Sequence, residues 1–254
     1  MLKAIDMHMH INHGSVHDTQ VSEVYTADLD ELMKISKGTG IEMMFCSTFA
    51  SVLSDEEVEQ ENEYLLKLAK STDYLYQWVV IDPRNDRTFE QARVMLESEK
   101  CVGIKIHPSC HQYDLLEYGD KIFSFAAEHE TVLLTHPMME FLTESKILTF
   151  ADKYPEMTLI LAHLGGVEFV DAIEFAKHGN VYTDTSGIAS SRNKIIEYTV
   201  NRVGSEKILF GTDTYSAAFQ RGRIEFALIS DEDKANILRY NSERLFGKFL
   251  NKRK

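Results

Sequence analysis

The first ten residues hold two histidines one residue apart, His8 and His10 in "AIDMHMH". Side chains alternate along a strand, so in an extended stretch both imidazoles project from one face. Further along, "GIKIHP" carries Lys105 and His107, "LLTHP" carries His136, "LILAHLGG" carries His163 and "ILFGTD" carries Asp213. Imidazole and carboxylate are ligands for zinc and similar divalent ions, and a catalytic site keeps one coordination position open. Water held there ionises near pH ~7 rather than ~15.7, which supplies a hydroxide nucleophile. Singly, these motifs have bland explanations. An isolated H-x-H arises often by chance, a histidine closing an apolar run is usually a hydrogen-bonded core residue, and GTD is common turn chemistry. What sets them apart is where they fall together.

Each closes an apolar, β-branched or aromatic run that reads as a strand. The strand candidates are "KAIDMHMH", "IEMMFCSTF", "YLYQWVVID", "CVGIKIH", "TVLLTH", "TLILAH", "VYTDTS" and "KILFGTD". Segments of helical period separate them, among them "DEEVEQENEYLLKLAK", "DRTFEQARVMLESE" and "ESKILTFADKY", and "DEDKANILRYNSERLFGKFL" reads as helix after the last strand. Strands alternating with helices imply parallel βαβ units wound by right-handed crossovers. Eight of them in 254 residues predict a single (β/α)8 TIM barrel over residues 1–254. A doubly wound sheet is the competitor, but no Gly-rich phosphate loop follows the first strand. Barrels of this kind carry their active sites at the C-terminal strand ends. Five of the ten histidines fall in that layer, whereas His129 and His178 lie outside it.

Composition narrows the function classes. With 44% hydrophobic and 26% charged residues the chain is an ordinary globular protein. Its formal net charge of −13 argues against nucleic acid or an anionic membrane as partner, since phosphate contacts need clustered Lys and Arg. A small-molecule substrate is expected instead, and an anionic one is compatible with a local metal ion. No apolar run approaches the ~18–20 residues of a membrane span, and the N-terminus shows no signal pattern. Cys46, Cys101 and Cys110 have no paired spacing, and the first two read as reduced core residues, so a cytoplasmic protein is expected.

The order of motifs resembles the amidohydrolase superfamily: H-x-H after the first strand, then "GIKIHP", "LLTHP", "LILAHLGG", "NVYTDTS" and "ILFGTD". It is most similar to the amidohydrolase 2 branch, which includes aminocarboxymuconate-semialdehyde decarboxylase, and "ILRYNSERLFG" resembles that branch's C-terminal segment. The resemblance covers residues 3 to about 250. It implies that His8, His10, His136 and Asp213 bind a divalent ion, Zn2+ first and Mn2+ next, in one or two copies. Asp213 would also take a proton from the attacking water, and His163 would act as acid or base. Asp6 would support the site from behind the ligands. Lys105 has two readings: a carboxylated lysine bridging two metals, as in some superfamily members, or an amine that orients substrate. With His107 and His163 it forms the candidate set for a second metal or for substrate. Barrels of this family often form homo-oligomers, although no stretch here marks an interface.

Other residues carry weaker signals. Arg84 in "IDPRND" could hold a substrate carboxylate in a bidentate grip, against the plainer reading of an exposed loop arginine. Cys110, His111 and Tyr113 follow the fourth strand and could touch substrate, Asp184 could meet a ligand or anchor a turn, and His13 and His17 read as solvated. The same ligand set serves hydrolysis and non-oxidative decarboxylation. Short strand-to-helix connections, residues 11–27 and 49–56 excepted, favour hydrolysis of a small amide, ester or lactone. The alternatives are decarboxylation of a small unsaturated or aromatic carboxylate and, third, a non-catalytic metal-binding barrel.

Overall fold

Eight parallel strands follow one another around the sheet in chain order: β1 (Ala4–Ile11), β2 (Ile41–Thr48), β3 (Leu75–Val80), β4 (Cys101–Ile106), β5 (Val132–Thr135), β6 (Thr158–Leu161), β7 (Val181–Asp184) and β8 (Ile208–Leu209). This computed structural model describes residues 1–13, 27–138 and 146–250. The ring closes where the chain after β8 meets β1. Met7 N donates to Phe210 O, His10 N donates to Asp213 O, and Asp213 N donates to His8 O. The (β/α)8 barrel expected from the alternation is therefore present.

Helices intervene as the periodicity predicts, including Val58–Lys70, Asp86–Met95 and Lys146–Lys153. The segment 49–56, expected as loop, begins instead with a short helix, Phe49–Leu53, capped by the Thr48 hydroxyl. No helix among the described residues is long and apolar enough to cross a membrane.

The barrel interior has an apolar floor and a polar top. Ile5, Met7, Phe45, Trp78, Leu134, Ile160 and Leu209 pack together, joined by Phe246 of the last helix, Asn241–Leu250. Phe246 meets Phe45 and Trp78 edge-on, with ring centroids 5.0 and 5.6 Å apart. Each buried side chain of this size contributes ~1.5–3 kcal/mol on burial.

A change of register converts that floor into a chemical surface. Asp6 pairs with Met44 but Met9 pairs with Cys46, so β1 spends one extra residue there. Such a bulge reverses which alternate side chains face inward. Ile5 and Met7 pack in the floor, whereas Met9 and Ile11 join the cluster between barrel and helices, which leaves His8 and His10 for the interior. The Met7 carbonyl accepts from the buried Trp78 indole N–H at 2.8 Å. A register shift also separates Gln77 and Trp78 against β4. There Gly103 is required, because a Cβ would stand 2.4 Å from the Val132 carbonyl oxygen and 2.7 Å from the Trp78 ring.

Candidate metal centre

His8 is fixed from β7. Its Nδ1 donates to Asp184 Oδ2 at 2.8 Å and lies 2.9 Å from Ser186 Oγ, and both partners are fully buried. A carboxylate accepts only, so Nδ1 carries the proton and Nε2 keeps a lone pair, the arrangement a metal-binding histidine needs. His10 follows the same logic. Its Nδ1 pairs with Ser47 Oγ at 3.0 Å and its ring stacks on Phe49 with centroids 5.0 Å apart, so Nε2 is the nitrogen left over.

Asp213 comes to these two histidines from the chain beyond β8. Its backbone is held in the left-handed region at φ 72° by the closing bonds to His8 and His10. Its Oδ1 stands 3.5 Å from His10 Nε2. Two ligands ~2.0–2.1 Å from a tetrahedral ion are separated by about 3.3 Å, so this spacing suits a shared cation. His8, His10 and Asp213 together present ligand atoms that all lie within 4.8 Å of one another. Asp6, buried below them, accepts from His8 N and Thr212 N at 3.2 and 3.1 Å and from the Thr212 hydroxyl at 2.5 Å. It ties the two closing strands together and does not enter the donor set. Because of the bulge, it is not on the histidines' face.

His163 follows β6 at φ 66°, its backbone N–H donating to Asp184 Oδ1 at 3.2 Å. Left-handed backbone in non-glycine residues costs ~1–3 kcal/mol and gathers at functional sites. The His163 ring lies 5.0 Å from those of His8 and His136. His163, His8 and Asp184 form a second close group of possible ligands. Their facing atoms are already committed to one another and to Ser186, so we read this group as orientation of the first. His136 is not within the 4.8 Å set. Its Nδ1 is buried with no hydrogen-bond partner among the described residues, which leaves it available to a cation or substrate. His107 stacks on His136 at 4.2 Å, while its Nδ1 accepts from Cys110 N and so caps the short helix Pro108–His111.

Lys105 reaches up from β4, fully buried, and Nζ donates to His8 Nε2 at 3.0 Å. The ammonium and a divalent ion cannot share that lone pair, so cation binding requires the amine to turn away. Burial lowers its pKa to about 8 against the opposing pull of Asp184 and Asp213. The imidazoles are driven towards neutrality. Burial and the neighbouring His163 and Lys105 take His136 down to about 3, and burial also lowers His8, His10 and His107. Burial would raise Asp184, but the His8 ring and the Ser186 hydroxyl outweigh it and keep this carboxyl well below the usual range. Burial raises Asp6 to about 8 despite its Thr212 and His8 partners. Neutral imidazoles, oriented by a carboxylate behind them, are what a divalent ion binds. The residues present fit one.

The remaining candidates are more peripheral. Arg84 is held by Asp82 at 2.7 Å and Asp55 at 2.6 Å, so its fork is already engaged. His111 Nε2 donates to Ser51 O at 3.0 Å, and the Tyr113 ring lies 6.0 Å from the Arg84 guanidinium. His13 keeps a partly exposed side chain, but its ring stacks on Tyr64 and pairs with the buried Glu61 at 2.8 Å. His17 falls outside the described residues. The sequence leaves Asp184 open between ligand contact and turn anchor, and it does not single out Ser186, Ser47 or Thr212. "TDTS" held the signal for two of them, an acid and a hydroxyl one residue apart after an apolar strand.

A family model described as amidohydrolase matches residues 5–248. Solved structures resemble the chain across nearly its whole length. 5-Carboxyvanillate decarboxylase from Sphingomonas paucimobilis is 13% identical with a TM-score of 0.77, over 97% of this chain and 99% of that one. 2,6-Dihydroxybenzoate decarboxylase from Rhizobium is 16% identical with a TM-score of 0.73, over 98% and 99%. Dihydroxybenzoic acid decarboxylase from Polaromonas sp. JS666, with bound manganese and the inhibitor 2-nitroresorcinol, is 15% identical with a TM-score of 0.73, over 97% of each chain. At these identities the likeness shows the fold. No curated protein matches the sequence.

Proposed function

The chain belongs to the amidohydrolase family, and we propose that it is a metal-dependent enzyme that releases CO2 from a small unsaturated or aromatic carboxylic acid. The observation that carries the metal-dependent part is the convergence of His8, His10 and Asp213 within 4.8 Å at the C-terminal strand ends, with His163 alongside. Decarboxylation is supported by the structural relatives, which match end to end and include decarboxylases, one of them with manganese. Because those matches run the full length of both chains, short connections lose their force as an argument for hydrolysis.

His8, His10, Asp213 and His136 would hold the ion, Zn2+ or Mn2+. When bound, it would draw electron density from the substrate's oxygen atoms. Lys105, freed from His8 Nε2, would face the substrate carboxylate. The bond between that carboxylate and its carbon breaks, the electron pair stays on the carbon, and His163 delivers a proton to it. A second reading, hydrolysis of a small amide, ester or lactone, is favoured by Asp213. Its side chain is 37% exposed, placing a base where water arrives. A turnover screen of Zn2+- and Mn2+-loaded protein against aromatic and enoic acids, lactones, esters and amides separates these. CO2 release supports the first reading, new acid without CO2 selects the second, and no turnover with either metal favours a binding module.

A further inference from the structure

Among the described residues, Ser186 is the one hydroxyl that touches His8, His163 and Asp184 together. Its Oγ lies 2.9 Å from His163 Nδ1 and 2.9 Å from His8 Nδ1, and it is hydrogen-bonded to Asp184 Oδ1. The hydroxyl has one proton to give. Asp184 is a charged acceptor with nothing to donate, and a hydroxyl facing it without its proton would set two oxygen lone pairs against each other in a buried place. The Ser186 proton therefore goes to Asp184, and Oγ receives from whatever stands opposite. His8 Nδ1 already has its proton on Asp184 Oδ2 at 2.8 Å. The nitrogen left facing Oγ is His163 Nδ1, and it must be the donor.

We infer that Ser186 is a positioning residue that locks the His163 imidazole with its proton on Nδ1, leaving Nε2 as an acceptor. The backbone is built for this contact. Gly187, at φ 70°, lets the ring lie close, since a Cβ there would stand 2.8 Å from His163 Nδ1. The inference rests on His163 being the acid–base group and fixes the order of its work. His163 enters as a base: Nε2 takes a proton from a substrate hydroxyl or a water as that O–H bond breaks. Only the resulting imidazolium can hand a proton to carbon or to a leaving group. Its Nδ1–H stays on Ser186 throughout, and through Ser186 it feels the Asp184 charge.

Nitrogen NMR of the full-length protein labelled with [15N]histidine and loaded with diamagnetic Zn2+ reads the tautomer without turnover. His163 is assigned by the signals lost in H163Q. Above the imidazole titration range, the wild type should show a protonated Nδ1 and an unprotonated Nε2 on His163. S186A should move the proton towards Nε2 and lower kcat roughly 10–100-fold, with KM little changed. A wild-type His163 protonated on Nε2 overturns the inference, as does an S186A protein that keeps the original tautomer. The wild-type tautomer is read without S186A, so it decides even where that variant fails to fold. An inert protein with the expected tautomer contradicts the functional reading alone.

Discussion

Asp184 determines which nitrogen of His8 a cation can reach, and Ser47 does the same for His10. Hydrogen bonds behind a ligand set its tautomer and direction, and losing one typically costs 10–100-fold in metal affinity or activity. Asp213 is different in kind, because it faces the substrate side. Asp213→Asn should lower kcat by about 10²–10⁴-fold while circular dichroism and melting stay close to wild type. A variant with wild-type turnover would remove Asp213 from proton transfer. Lys105→Met separates the two readings of that lysine. As a substrate-orienting amine its loss should raise KM for carboxylates at least roughly tenfold, with metal content by mass spectrometry unchanged. Loss of bound metal would instead mark it as a ligand.

Elements place these groups through irregularities rather than regular strand. The bulge in β1 turns His8 and His10 inward above a floor of Ile5 and Met7, and the left-handed residues His163 and Asp213 aim the ends of β6 and the chain beyond β8. Two glycines test the idea at different depths. Gly103→Ala forces a Cβ against the Val132 carbonyl and the Trp78 ring, and should cost about 1–3 kcal/mol in urea unfolding. Gly211→Ala meets His8 Cβ at 3.0 Å and Ser186 Cβ at 3.1 Å, so it should weaken Zn2+ binding by about tenfold or more with a much smaller loss of stability. Equal loss of stability in the two would show that Gly211 serves packing only. The strands were legible because each polar residue at the site ends a long apolar run. The bulge was not, since "AIDMHMH" keeps perfect alternation and places Asp6 with the histidines on paper. Ser47 and Thr212 were illegible for another reason: small hydroxyls are common in turns, and only the fold reveals what each of them meets.

At the scale of the molecule, the apolar barrel floor and the polar top belong to one closed ring, and pairs between helices help hold its outer layer. Glu197 receives Arg223 Nη2 at 2.7 Å and the Leu228 N–H at 3.0 Å. Burial opposes its ionisation, but these partners outweigh that and lower its pKa from 4.5 to about 2. Its contribution to stability is therefore complete above pH 4.5 and is lost as pH falls through about 2. Glu197→Gln should lower stability at neutral pH by roughly 1–3 kcal/mol, and the difference from wild type should shrink across that acid window. A constant difference between pH 7 and the acid limit would contradict the assignment. The central claim is that the barrel's polar top is a metal centre. Metal analysis of the full-length protein, equilibrated with Zn2+ or Mn2+ and freed of excess, tests it most directly beside a His8→Ala, His10→Ala double variant. The wild type should retain at least one tightly held equivalent and the variant little. Absence of bound metal in the wild type, or equal binding by the variant, would contradict it.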